Sequence, residues 1–237
     1  MTADWKNLAA QLTADLELDR APVQISYLDA PPKGVAPHPG GAPSVCTFFA
    51  EGGRRPFYAG LSEHEACEIG AFVLGMAPEG ELGQRVQAMV GLMQSEGYLS
   101  KGDEARIPRN ASPPKFVAYG PLGSLPIDPT TVLMFAKPKS AMYALEAAHG
   151  SVPMNGRPMC AIVPTLNQGA PVAISMGCTG SRIFTQMGDD QVVVGVRGDH
   201  LEKFAAAVRK IRRANELVGA EDTRRRNASK RPFQRSG

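Results

Sequence analysis

The chain has 237 residues, enough for one large domain or two small ones sharing a core. Its 43% hydrophobic and 21% charged content fits a folded globular protein and excludes a disordered or fibrous one. The net charge of +3 is modest and gathers at the end, in Arg224, Arg225, Arg226, Lys230, Arg231 and Arg235, which excludes a basic nucleic-acid groove on the body of the chain.

Residues 3–19 set Trp5, Leu8, Leu12 and Leu16 at helical spacing. This opening lacks the basic start and apolar run of a secretory leader, and no stretch approaches the roughly 18 apolar residues that span a bilayer. A cytoplasmic location is expected, where cysteines stay reduced and disulfides are rare. Residues 23–28 alternate as a half-buried strand. The segment 31–43 holds Pro31, Pro32, Pro37, Pro39 and Pro43, which predicts a loop outside any sheet ladder.

Residues 44–50, carrying Cys46, read as a second strand. Residues 56–61 read as a third, joined to it in a hairpin turned at Glu51-Gly52-Gly53. Ser62 followed by Glu65 has the form of a capping box opening a helix to about Met76. Cys67 would lie near its first turn, where unpaired N–H groups and the helix dipole favour a thiolate. His64 reads as an exposed first-turn residue. A further helix is expected over 81–96.

Residues 115–119 and 131–136 read as strands, the second apolar on both faces like a central strand. Pro138 opens a helix to about Ala148. Beyond Cys160, residues 171–176 and 191–196 read as apolar strands and 199–218 as the last helix. Strands joined by both hairpins and helices predict an α+β (or mixed-sheet α/β) fold. The expectation is a single compact domain over 1–218, a mixed sheet flanked by helices, and a basic disordered tail over 219–237. A short echo between Cys67-x-x-Gly70 and Cys178-x-Gly180 raises the idea of two pseudo-repeated halves.

The candidate chemistry lies in the four cysteines, Cys46, Cys67, Cys160 and Cys178. None has the tight spacing of a zinc ribbon. Thiolates converging from distant segments can hold an iron–sulfur cluster or another soft metal, and glycines beside them let backbone approach closely. The competing reading is ordinary buried cysteine. Gly177, Gly180, Ser181 and Arg182 form a second candidate, a turn that would cradle a small anionic ligand through backbone N–H groups, a hydroxyl and a guanidinium. No GxGxxG or P-loop lysine supports nucleotide binding. A third reading is a thiol-dependent enzyme with one activated cysteine.

Taken together, the residues resemble the family named domain of unknown function 169, uncharacterised archaeal and bacterial proteins. The resemblance rests on Leu18, Pro22 and Val23; on Cys46; on Cys67-x-x-Gly70 leading to Leu74-Gly75; on Gly156-Arg157-Pro158-Met159-Cys160; and on Gly177-Cys178-Thr179-Gly180-Ser181-Arg182. Asp189-Asp190, Gly195-Val196 and Leu201 follow. It covers about residues 10–218. It implies a shared fold and makes the four cysteines a family feature, and it supplies no activity.

Overall fold

The structure is a computed structural model that describes residues 4–76, 80–150, 152–155 and 158–228. In chain order the elements are α1 (Trp5–Asp15), β1 (Val23–Leu28), α2 (Val45–Gly52), β2 (Phe57–Ala59), α3 (Leu61–His64), α4 (Glu68–Val73) and α5 (Gly80–Ser95). After these come β3 (Phe116–Pro121), β4 (Thr131–Ala136), α6 (Pro138–Ala147), β5 (Met154–Asn155), α7 (Ile162–Asn167), β6 (Val172–Ser175), α8 (Thr179–Thr185), β7 (Val192–Arg197) and α9 (Leu201–Ala228). The expected α+β class holds.

The strands form one sheet in the order β2-β3-β1-β4-β7-β6-β5, antiparallel throughout except for the β5–β6 pair. Strand β4 sits at the centre and is buried along its length. Leu133 and Phe135 project to one face, Val132, Met134 and Ala136 to the other. Helices α1, α6 and α9 cover the second face, where Leu12, Leu16, Phe204 and Val208 meet the valines of β7. The first face carries α2, α4, α5 and α7, packed through Phe48, Phe49, Ala71, Val86, Ile162 and Leu166. It also carries the cysteines.

The strand order has an internal symmetry. From each edge toward the centre it runs β2-β3-β1 on one side and β6-β7-β4 on the other, with β5 added outside. Within each triplet the first strand in sequence is central, the last is intermediate and the second is outer. The central strands β1 and β4 are antiparallel, as a two-fold axis normal to the sheet between them requires. The faint sequence echo is therefore matched by topology.

Three local expectations are corrected. Residues 45–52 form α2, not a strand, so no hairpin joins them to β2. Ser44 caps this helix, its Oγ accepting from the Cys46 N–H at 3.1 Å. Val45, Cys46, Phe48 and Phe49 are all buried, and a helix apolar on every side has no period to separate it from a buried strand. The helix expected over 62–76 is split into α3 and α4. Its cap is Gly60, whose N–H is taken by the Glu63 carboxylate at 2.6 Å, rather than Ser62 with Glu65. The chain then breaks before Glu68, leaving Cys67 at the N-cap of α4.

Finally, α9 runs on to Ala228, so residues 219–228 are helical where a disordered tail was expected. Pairs such as Arg225 with Glu221 line that exposed turn. Residues 229–237 of the expected tail lie outside the described residues, as do Gly156 and Arg157 of the Cys160 motif. Among the described residues no helix is long and apolar enough to cross a membrane.

Candidate functional site: four cysteines around one cavity

All four cysteines line a single cavity of about 630 Å³ on the first face of the sheet. Cys46 comes from the first turn of α2 and Cys160 from the tight turn before α7; both are buried. Cys67 and Cys178 stand at the N-caps of α4 and α8 and are half-buried. The chain brings them there in matching fashion. Cys46 and Cys160 fall between the central and outer strands of their triplets, and Cys67 and Cys178 follow the outer strands.

Backbone and small side chains support the sulfur atoms. The Ser181 N–H donates to Cys178 Sγ at 3.4 Å. The Cys67 thiol lies 3.8 Å from Ser44 Oγ, the same oxygen that caps α2. Gly70 is forced by this crowding: a Cβ there would fall 2.4 Å from Val45 Cγ2 and 2.8 Å from Cys67 Sγ. Burial pushes the Cys46 thiol up to about 12, with the neighbouring Cys178 and Cys67 adding to the effect. Burial likewise holds Cys160 well above the ordinary thiol range, reinforced by Cys46, Cys67 and Cys178. Both buried thiols therefore stay protonated and neutral at neutral pH in the metal-free protein.

Among the described residues, no three His, Cys, Asp or Glu side chains are grouped closely enough to hold one metal ion. A tetrahedral ion with bonds of about 2.3 Å needs sulfur atoms about 3.8 Å apart. A cluster spreads its thiolates further, because its own iron and sulfide atoms lie between them. The donor set, four thiols with no imidazole among the described residues of the cavity wall, suits a soft centre.

The glycine-rich turn behaves differently from expectation. Ser181 is buried, and its hydroxyl accepts from the Cys178 N–H at 2.8 Å and donates to the Cys178 carbonyl at 2.7 Å. Arg182 donates to the carbonyls of Gly188 and Met176, each at 2.8 Å. Both side chains are thus spent on holding their own loop. Gly177 has φ +81°, which lets the chain turn sharply out of β6 toward Cys178. Gly180 lines the cysteine cavity, whereas Gly177 and Arg182 line a neighbouring open hollow that shares Cys178 and Thr179 with it.

Sequence reasoning missed two features. His64 is fully buried rather than exposed. Its Nδ1 faces the Gly60 carbonyl and so carries the proton, which leaves Nε2 to accept from the Tyr119 hydroxyl at 2.8 Å. Burial pulls His64 down to about 4. Both ring nitrogens are thus engaged, and the His64 side chain is absent from the described lining of the cysteine cavity. The second feature is the apolar outer wall that Met89, Leu92 and Met93 of α5 supply to the cavity, which the helix expected over 81–96 did not by itself disclose.

The sequence pattern of domain of unknown function 169, described as an uncharacterised ArCR, matches residues 11–207. No curated protein and no solved structure gives a significant match. The chain belongs to the domain of unknown function 169 family.

Proposed function

We propose that this member of the family holds a metal centre, most readily an iron–sulfur cluster, through Cys46, Cys67, Cys160 and Cys178, and uses it in a redox or Lewis-acid role. One observation carries the reading: four cysteines from four separate segments, at matching places in two halves of the sheet, face one cavity. Ordinary buried cysteines have no reason to share that symmetry. Buried thiols with raised pKa values are poor nucleophiles in the free state, which counts against a general thiol enzyme at Cys46 or Cys160. A metal centre reverses that logic, because the cation displaces the thiol protons and offsets the charge left behind.

The anion-binding alternative has less support, since Arg182 and Ser181 already bond within their own turn. The test is anaerobic purification followed by iron, zinc and acid-labile sulfide analysis and visible absorption. The expected result is bound iron and sulfide with a broad visible band that dithionite bleaches. A colourless protein without iron, zinc or sulfide, even after anaerobic reconstitution, overturns the reading.

A further inference from the structure

The cysteines occupy only part of the cavity wall. One side of it is made by Met89, Leu92 and Met93 of α5, by Leu99 and Ile107 of the segment after it, and by Phe184 of α8. These six apolar side chains run from depth to rim: Leu99 is buried, Phe184 is 38% exposed and Leu92 is 55% exposed. Helix α5 seats Val86 and Val90 against the core, so its apolar stripe is wider than the part it buries there. The extra width, Met89, Leu92 and Met93, faces the cavity instead. Methionines give such a wall an adaptable surface.

The size of about 630 Å³ falls in the range of small-molecule sites, roughly 300–1,000 Å³. Among the described lining residues the charged side chains are two carboxylates, Glu96 and Glu68, the latter paired with Arg85 at 3.8 Å. An anion entering here would lose its hydration against apolar carbon and approach the Glu96 carboxylate, while the Glu68 charge is offset by Arg85. We propose that the α5 side of this cavity binds a small, largely apolar organic molecule, neutral or cationic, beside the cysteines. The proposal goes beyond the metal reading and does not depend on it, because the α5 wall contains no cysteine. If both hold, the molecule lies next to the metal centre, where a substrate would.

The test uses two fluorescent probes with a similar aromatic skeleton, neutral N-phenyl-1-naphthylamine and its sulfonated relative 8-anilinonaphthalene-1-sulfonate. The neutral probe binds once per chain, and the sulfonate at least about tenfold more weakly, a difference of about 1.4 kcal/mol. Met93→Trp fills the wall, and Leu92→Asp places a carboxylate at its exposed rim as a variant less exposed to folding failure. Each weakens the neutral probe about tenfold or more without loss of helical signal. Absence of saturable binding, equal binding of the sulfonate, or affinity unchanged in both variants overturns the proposal. Metal analysis of the same samples reports on the cysteines separately. Metal-free protein that takes the probe sustains this inference while counting against the metal centre; metal-loaded protein that rejects it does the reverse.

Discussion

Cys67 and Cys178 occupy corresponding positions in the two halves of the sheet, each following the outer strand of its triplet and each serving as the N-cap of a short helix. They differ in how the cap is made. Cys178 exchanges bonds with Ser181, whose N–H reaches the sulfur and whose hydroxyl takes the Cys178 N–H. The Cys67 side chain makes no cap bond and instead lies near Ser44 Oγ. The second half therefore holds its sulfur with local bonds and the first half with packing from another helix.

Substitution separates the two kinds of cysteine. Cys67→Ser and Cys178→Ser put a hydroxyl at half-buried sites with polar neighbours, so the metal-free proteins keep their melting temperature within a few degrees while metal content falls. Cys46→Ser and Cys160→Ser bury a hydroxyl among apolar atoms at a cost of about 1–3 kcal/mol even without metal. Thermal melts of apo protein beside iron analysis of reconstituted protein distinguish them. Equal metal content in wild type and Cys178→Ser would show that this sulfur is no ligand.

Alkylation of the metal-free protein follows the same division. At pH 8, iodoacetamide modifies Cys67 and Cys178 ahead of Cys46 and Cys160, because burial both shields the latter pair and keeps them protonated. Mass mapping of modified peptides over time checks this. Reconstitution with iron and sulfide protects all four. Rapid labelling of Cys160 in folded protein contradicts its placement in the core.

Acid weakens the fold through His64. Its folded value of about 4 lies below the ordinary 6.5, so the unfolded chain binds a proton that the native state refuses between those limits. Stability is thus fully present above pH 6.5 and falls as pH drops toward 4, by about 3 kcal/mol from this group. Urea melts across that window measure the slope. His64→Gln keeps hydrogen-bonding capacity toward Gly60 and Tyr119 but cannot titrate, and should flatten the slope. Glu51 and Glu63, whose carboxyls are lowered, add a separate loss as pH falls through the carboxylate range. A wild-type slope already flat between pH 6.5 and 4 excludes a buried neutral His64.

Much of this arrangement was legible in the sequence. Strong apolar runs such as Val132-Leu133-Met134-Phe135 identified their strands, and Pro138 marked its helix start. The failures cluster around the site. Val45-Cys46-Thr47-Phe48-Phe49 is rich in strand-favouring residues but forms a helix with all but Thr47 buried, where tertiary packing outweighs propensity. The split between α3 and α4 left no proline or glycine at Glu65–Cys67 to announce it. His64 could not be placed because its partner Tyr119 is 55 residues distant. The convergence of the cysteines was likewise unreadable, since it depends on which strands pair, although the paired Cys-and-glycine motifs were a genuine trace of the symmetry that brings them together.

The contact between α2 and α4 gives the sharpest test of how the site is held. Gly70→Ala drives a methyl into Val45 Cγ2 and Cys67 Sγ, and should cost about 1–3 kcal/mol by overpacking. Val45→Ala alone removes buried carbon and also destabilises. In the double variant the two changes relieve one another, so the combined loss falls short of the sum by at least about 0.5 kcal/mol. Metal content should not recover in parallel. The new methyl still lies against Cys67 Sγ after Val45 is trimmed, and displaces that sulfur from the cavity wall. Denaturant melts of the four proteins give the coupling, and iron analysis of the same four gives the occupancy. Stability restored with metal still low assigns Gly70 to positioning Cys67; strict additivity in stability would mean that α2 and α4 do not meet as the Gly70–Val45 contact requires.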